Sequence, residues 1–383
     1  TNPATALSMI ITTDAAEDNT YEYTFNSGTI SELKAGYIYT IKIGLGESVL
    51  GSVDQIEGGN SPYEPGGDVD GNAEAVTPEI PGYMVVEAPA DNAEALAGCL
   101  NGKQGPIALK FVAGNTYKAD MITVPADITD LLLIGKEGQA KVTMKGLSVP
   151  ERTLNKLTFQ DLEIEGTDAN TAICAAELKE DAELTVKGCY IHGVKAVYGR
   201  GKALAQKHST DFSRLSSFTI DDSRIYNVEC VFDYGVVLAV TLNNSTLYNL
   251  SQIAFFSSKS NDTNDIKQCE PIKVTNCTLV DLKKNLVQTA GGYGYLTNYE
   301  NNISILAGDA HIAYGVKGAN NSAYIFVIQN NIAATGSGIK IADFTNNGAI
   351  DDTKSRAEIF PNEDAGDGGK NFTPADGITI GDP

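Results

Sequence analysis

The sequence predicts an all-β chain: a right-handed parallel β-helix of three-strand turns, headed by a short capping helix, with a small antiparallel β module in front. Three observations predict it. One segment recurs along the chain, each copy carries the same kind of corner residue, and the copies are spaced for one turn of a solenoid.

The repeat comes first. Leu184 to Val194 reads LTVKGCYIHGV, Phe218 to Val228 reads FTIDDSRIYNV, Val240 to Leu250 reads VTLNNSTLYNL and Ile272 to Leu282 reads IKVTNCTLVDL. An earlier copy, LTFQDLEIEG, starts at Leu157, and looser copies start at Tyr299 and Val327. Apolar residues alternate on both sides of a corner, which is the pattern of two short strands meeting at a bend with side chains turned inward. Asp161, Gly188, Asp222, Asn244, Asn276, Asn301 and Asn330 hold the corner. Asp, Asn and Gly tolerate the left-handed backbone that a sharp bend needs. The next position holds Leu162, Cys189, Ser223, Ser245, Cys277, Asn302 and Asn331, mostly small residues suited to a column stacked inside a coil at about 4.8 Å per rung.

The shortest interval between copies is 22 residues, from 218 to 240, and the others are longer by variable amounts. That suits a solenoid turn carrying loops of different length. A propeller blade needs about 40 residues, and a leucine-rich repeat needs regular Leu spacing that is absent. Each copy is followed by a further apolar run (KAVYG, ECVFDYG, QIAFFS, NLVQT) that supplies the third strand of a turn. Polar loops are expected at about 199–217 and 258–271. Upstream, NAEALAGCLNG places Ala and Leu at helical spacing over 91–100, where a helix would cover the open end of the solenoid.

Residues 1–57 alternate polar with β-branched and aromatic residues and read as antiparallel strands. Residues 58–80 are rich in Gly, Pro and acid and read as a linker, with the β-helix over 81–383. The stretch YEYTFNSGTISELKAGYIYTIKIGL resembles the C-terminal strands of fimbrillin-like domains. Residues 81–383 resemble the pectate-lyase-like β-helix superfamily, nearest its uncharacterised exported members from Gram-negative gut bacteria. The resemblance implies export to the extracellular space or the outer-membrane surface, as for surface lipoproteins, and a polysaccharide or cell-surface glycan as partner. Architecture in such families is better shared than activity.

The 383 residues carry 49 acidic and 28 basic side chains, for a net charge of −21. Such a field repels phosphate backbones and anionic membranes, so nucleic acid is not an expected partner. No run of about 18 apolar residues occurs, so no transmembrane helix is expected. The chain begins in mid-pattern at Thr1-Asn2-Pro3, as a trimmed or processed chain would. A monomer is expected. The six cysteines include no CxxC pair and there are three histidines, so no metal site is read. Cys189 and Cys277 fall on the inward column as buried thiols, too many rungs apart for a disulfide.

A lyase of this fold needs a base beside a neutralised uronate carboxylate, and Ca²⁺ enters only on that reading. A WxDH strand and an RxPxxR segment are both absent, and there is no Trp. Two candidate groups stand out. The loop RGKALAQKHSTDFSR brings together Arg200, Lys202, Lys207, His208, Asp211 and Arg214, where Lys207, His208 or Arg214 would serve as base or as partner for an acid group. The third-strand series Tyr198, Phe232, Phe256 and Tyr314, with Asp233 and Tyr234 beside it, would stack sugar rings if it faces out and would fill the core if it faces in. His192 aligns with Tyr226 and Tyr248 at an outward position and reads as plain surface. The expected function is non-catalytic glycan binding or scaffolding at the cell surface, with a polysaccharide lyase acting on an acidic glycan as the alternative.

Overall fold

The computed structural model of the chain describes residues 7–12, 20–25, 37–45, 50–60, 64–65, 80–136, 139–149, 153–175, 178–179, 181–199, 214–237, 239–257, 270–289, 294–307, 310–314, 327–337, 340–341, 349–365 and 370–381. They divide into two compact units, 1–85 and 86–383.

In the first unit, Leu7–Thr12 pairs antiparallel with Thr20–Phe25. Tyr37–Leu45 pairs antiparallel with Leu50–Asn60, which also holds the short strand Glu64–Pro65. The alternating runs are thus strands, and the last long one continues past residue 57 into the segment read as a linker.

The second unit is a right-handed parallel β-solenoid of about 7 turns. Three parallel sheets run its length. The first contains Lys156–Gln160, Ala182–Lys187, Arg214–Asp221, Val240–Asn243 and Glu270–Thr275. The second contains Leu162–Gly166, Tyr190–His192, Arg224–Tyr226, Thr246–Tyr248 and Thr278–Leu282. The third contains Ala172–Ala175, Ala196–Gly199, Phe232–Val237, Phe255–Ser257 and Val287–Thr289.

The bend between the first and second sheets has the backbone the repeat implied. Asp161, Asp222, Asn244 and Asn276 have φ of 52°, 47°, 43° and 54°. Each of their N–H groups donates to a carbonyl of the next rung, as from Asp222 to Asn243 at 3.3 Å and from Asn276 to Glu300 at 3.0 Å. Gly188 (φ 60°) completes the row, and a Cβ there would sit 2.2 Å from the Asp161 carboxylate. A second left-handed row, Gly193, Asn227, Asn249 and Asp281, turns the chain between the second and third sheets.

The inward column is a hydrogen-bonded ladder. Ser223 and Ser245 are both buried on one side of their sheet. The N–H of Cys189 donates to Ser223 Oγ at 3.1 Å, and the N–H of Ser223 donates to Ser245 Oγ at 3.1 Å. Each hydroxyl in turn donates across its own bend, Ser223 to the Asp221 carbonyl and Ser245 to the Asn243 carbonyl, at 2.7 and 2.6 Å. Farther along, the N–H groups of Cys277 and Asn302 donate to the side chains of Asn302 and Asn331. The bend leaves an N–H turned into the lumen, and a small polar side chain from the next rung satisfies it. Cys189 is a free buried thiol, and burial pushes it up to about 12. Cys277 is equally buried, its Sγ donating to the Thr275 carbonyl, and Cys269 lies outside the described residues.

The capping helix is Ala93–Ala97, started by Asn92, whose side chain accepts from the Ala95 N–H at 2.9 Å. Leu96 and Leu100 are fully buried beneath it and cover the first rung of the core.

Candidate functional site

The third sheet turns its aromatic series inward, the core-filling one of the two readings open in the sequence. Tyr198 and Phe232 are fully buried and stack on each other, with centroids 5.3 Å apart and planes 4° apart. The next member is Phe255 rather than Phe256, because the register pairs Tyr198 with Phe232 and Phe232 with Phe255. Phe218 packs edge-on against both phenylalanines across the lumen. Tyr198 and Phe232 therefore fill the core and offer no face to a sugar. The third strand is entered from a bend and a loop of variable length, and period-2 alternation started one residue off selects Phe256 in place of Phe255.

Of the remaining expected residues, Asp233, Tyr234 and Arg214 are described, and they lie on two paired strands. Asp233 sits one position beyond the buried column and accepts from Lys195 at 2.8 Å. That bond raises the Lys195 ammonium above its ordinary value. Tyr234 falls at a break in register between Asp233 and Gly235, and Arg214 starts the strand Arg214–Asp221 with its backbone opposite Val236. Arg200, Lys202, Lys207, His208 and Asp211 lie outside the described residues.

The outer face of the second sheet gathers chemistry instead. Two neighbouring columns run along it. One is Lys141, Glu163, Tyr190, Arg224 and Thr246, and the other is Thr143, Glu165, His192, Tyr226 and Tyr248. His192 stacks on Tyr226 with centroids 4.8 Å apart, and Tyr226 stacks on Tyr248 at 4.7 Å. These separations equal the strand spacing, so parallel in-register pairing itself builds the aromatic ladder. Tyr190 is 39% exposed, one of two large apolar side chains so exposed among the described residues. The Arg224 guanidinium lies 5.5 Å from its ring centroid, within cation–π reach.

Charge on this face is ordered. Lys141 Nζ lies 3.1 Å from Glu163 and 3.2 Å from Glu165, and His192 Nε2 lies 3.3 Å from Glu163. Burial works to raise the Glu163 carboxyl, but the bonds from Lys141 and His192 outweigh it and hold the group below the usual range. The same bonds to Glu163 and Glu165 raise the Lys141 ammonium. Burial, then the nearby Glu163 charge, raise the Tyr226 phenol, and burial pushes Tyr248 up to about 12. At neutral pH the face thus holds fixed, paired charges and neutral phenols. A proton-abstracting base must be deprotonated when it acts, and Lys141 is held cationic by its two carboxylate partners. Arg224 forms no ion pair with a described carboxylate and carries the open cationic group of the face.

Sequence reasoning placed His192, Tyr226 and Tyr248 outward but read them as surface. The fuller signal was two columns apart by one alternation, Glu163–Tyr190–Arg224 beside Glu165–His192–Tyr226, each rich in side chains that recognise polar ligands. No family model, no curated protein and no solved structure matches the chain.

Proposed function

We propose that this chain is an exported, cell-surface solenoid of the pectate-lyase-like kind, with a fimbrillin-like module ahead of it, that binds glycan without cleaving it. The carrying observation is the exposed Tyr190 ring with the Arg224 guanidinium beside it, on a rigid sheet face next to the His192–Tyr226 ladder. An aromatic body with polar edges suits a sugar, which has apolar C–H faces and a rim of hydroxyls. Strand-borne side chains at fixed rung spacing bind with little ordering cost. The paired state of Glu163, Glu165 and Lys141 supports recognition over proton transfer. The glycan partner, the cell-surface setting and the Gram-negative source rest on the resemblance of the sequence. The net charge of −21 disfavours nucleic acid as the alternative polymer.

The test is a panel of plant and host glycans with two readouts on one sample, bound fraction and ultraviolet absorbance of unsaturated sugar. Saturable binding with flat absorbance is the expected result. Rising absorbance would replace this reading with a lyase, in which Ca²⁺ dependence becomes the next question.

A further inference from the structure

The outer face of the second sheet changes character along its length. After Tyr248 its column continues as Val280 and Ile305, and after Thr246 its neighbour continues as Thr278 and Ile303. Outward apolar residues on a solenoid need a cover. Residues 355–365 and 370–381 supply it as a strap, returning from the last strand, Ile350–Lys354, across this face. Ser355 starts the strap with a capping box to Glu358. Ile359, Phe360 and Phe372 of the strap are buried against Val280, Ile303 and Ile305. This cluster lies outside the coil and is separate from the lumen core.

Among the described residues the polar attachments are few. Arg356 is bidentate to Asp281 of the coil, at 2.6 and 2.8 Å, and also grips Glu363 of the strap, at 2.7 Å twice. Asp281 belongs to the second corner row, so its left-handed backbone aims the clamp. The Gly381 N–H donates to the Asn301 carbonyl at 2.8 Å. Where the strap meets the open ladder, Phe372 packs edge-on to Tyr248 with centroids 5.1 Å apart, and the Lys370 backbone binds the Tyr248 hydroxyl.

We propose that the strap is a latch that opens as a unit while the coil stays folded, and that when closed it ends the ligand face at Tyr226. Opening breaks one outer cluster, one ionic clamp and the two backbone contacts at Asn301 and Tyr248, and leaves the lumen core and its serine ladder intact, which is the condition for local rather than global opening. Opening also exposes Tyr248, the last ring of the ladder, lengthening the accessible face by one rung of about 4.8 Å. This second consequence rests on the glycan reading above, and the first does not.

Hydrogen exchange by mass spectrometry on the full chain tests both. Strap amides should exchange at least about tenfold faster than the amides of 182–192 under native conditions. Arg356→Ala should speed the strap a further tenfold or so by removing a bidentate charged contact, with coil exchange and circular dichroism unchanged. Arg356→Lys, which keeps the charge but loses the two-point geometry, should fall between. The alanine variant should also bind the longest glycan of the panel severalfold tighter. Strap amides that exchange together with the coil, or that ignore Arg356→Ala, would overturn the latch. Fast strap exchange with no glycan bound by either form would leave the latch standing and remove the ligand reading.

Discussion

Two aromatic ladders run along this solenoid, one on each side of its wall. Tyr198 stacks on Phe232 inside the third sheet with Phe255 next in register, and His192, Tyr226 and Tyr248 stack outside the second. Their ring spacings are nearly equal, 5.3 Å and 4.7 Å, because both inherit the spacing of parallel strands. Only parity along the strand separates them. Phe232 and Phe255 meet Phe218 across the lumen, while the outer ladder meets Glu163 through His192 and, at one end, the strap through Tyr248. A ladder in a coil is thus structural or recognitional by which way one alternation begins.

The largest effects should appear where this comparison is broken from the inside. Phe232→Ala should cost about 3–5 kcal/mol of unfolding free energy in a denaturant titration, as for other buried Phe truncations. Tyr226→Ala, one wall away, should cost less, about 1–2 kcal/mol, because the ring is only partly buried and its stacking adds little beyond area. Comparable losses would mean that the outer ladder is core in all but position. Next comes Ser223→Ala, which removes the acceptor for the Cys189 N–H deep in the wall. A buried donor left unpaired costs about 1–3 kcal/mol. A loss near zero would show that the bend relaxes to pair that N–H elsewhere.

On the outer face, acid should produce the smallest of these effects. The folded Glu163 carboxyl lies below its unfolded value. Its stabilisation is therefore complete above about pH 4.3, the unfolded glutamate value, and is lost as pH falls through the folded one. Lys141 is about half exposed, so the whole contribution should stay under about 1 kcal/mol. Glu163→Gln should flatten that part of the pH–stability curve, and an unchanged curve would show that the Lys141 and His192 contacts do not hold the charge.

The coil was legible because its bend leaves residues little choice. Asn, Asp or Gly recurred at each first corner, and a small residue followed it as the lumen ladder requires. The second corner was equally present, as Gly193, Asn227, Asn249 and Asp281, four residues after each inward position, but it sat inside a stretch read only as apolar-x-x-apolar. Parity was lost on the third strand because two adjacent phenylalanines, Phe255 and Phe256, fit the same pattern and the bend before them has no fixed length. The strap left one trace in the repeat. Where His192, Tyr226 and Tyr248 stand in earlier copies, the copy from Ile272 carries Val280, an outward apolar residue that asks for a cover. Residues 355–381 themselves repeat nothing, so only tertiary packing shows what they cover.

The claim that the outer face of the second sheet is the ligand surface is tested most directly by titrating one bound glycan against wild type, Arg224→Ala, Tyr190→Ala and Asp233→Asn. A charge-assisted contact is worth about 1.5–3 kcal/mol, so Arg224→Ala should weaken binding roughly ten- to hundredfold, with Tyr190→Ala also weakened. Asp233→Asn, on the third sheet and tied to Lys195, should bind like wild type. Undiminished affinity in Arg224→Ala and Tyr190→Ala together with a loss in Asp233→Asn would place the site on the third sheet and contradict the account.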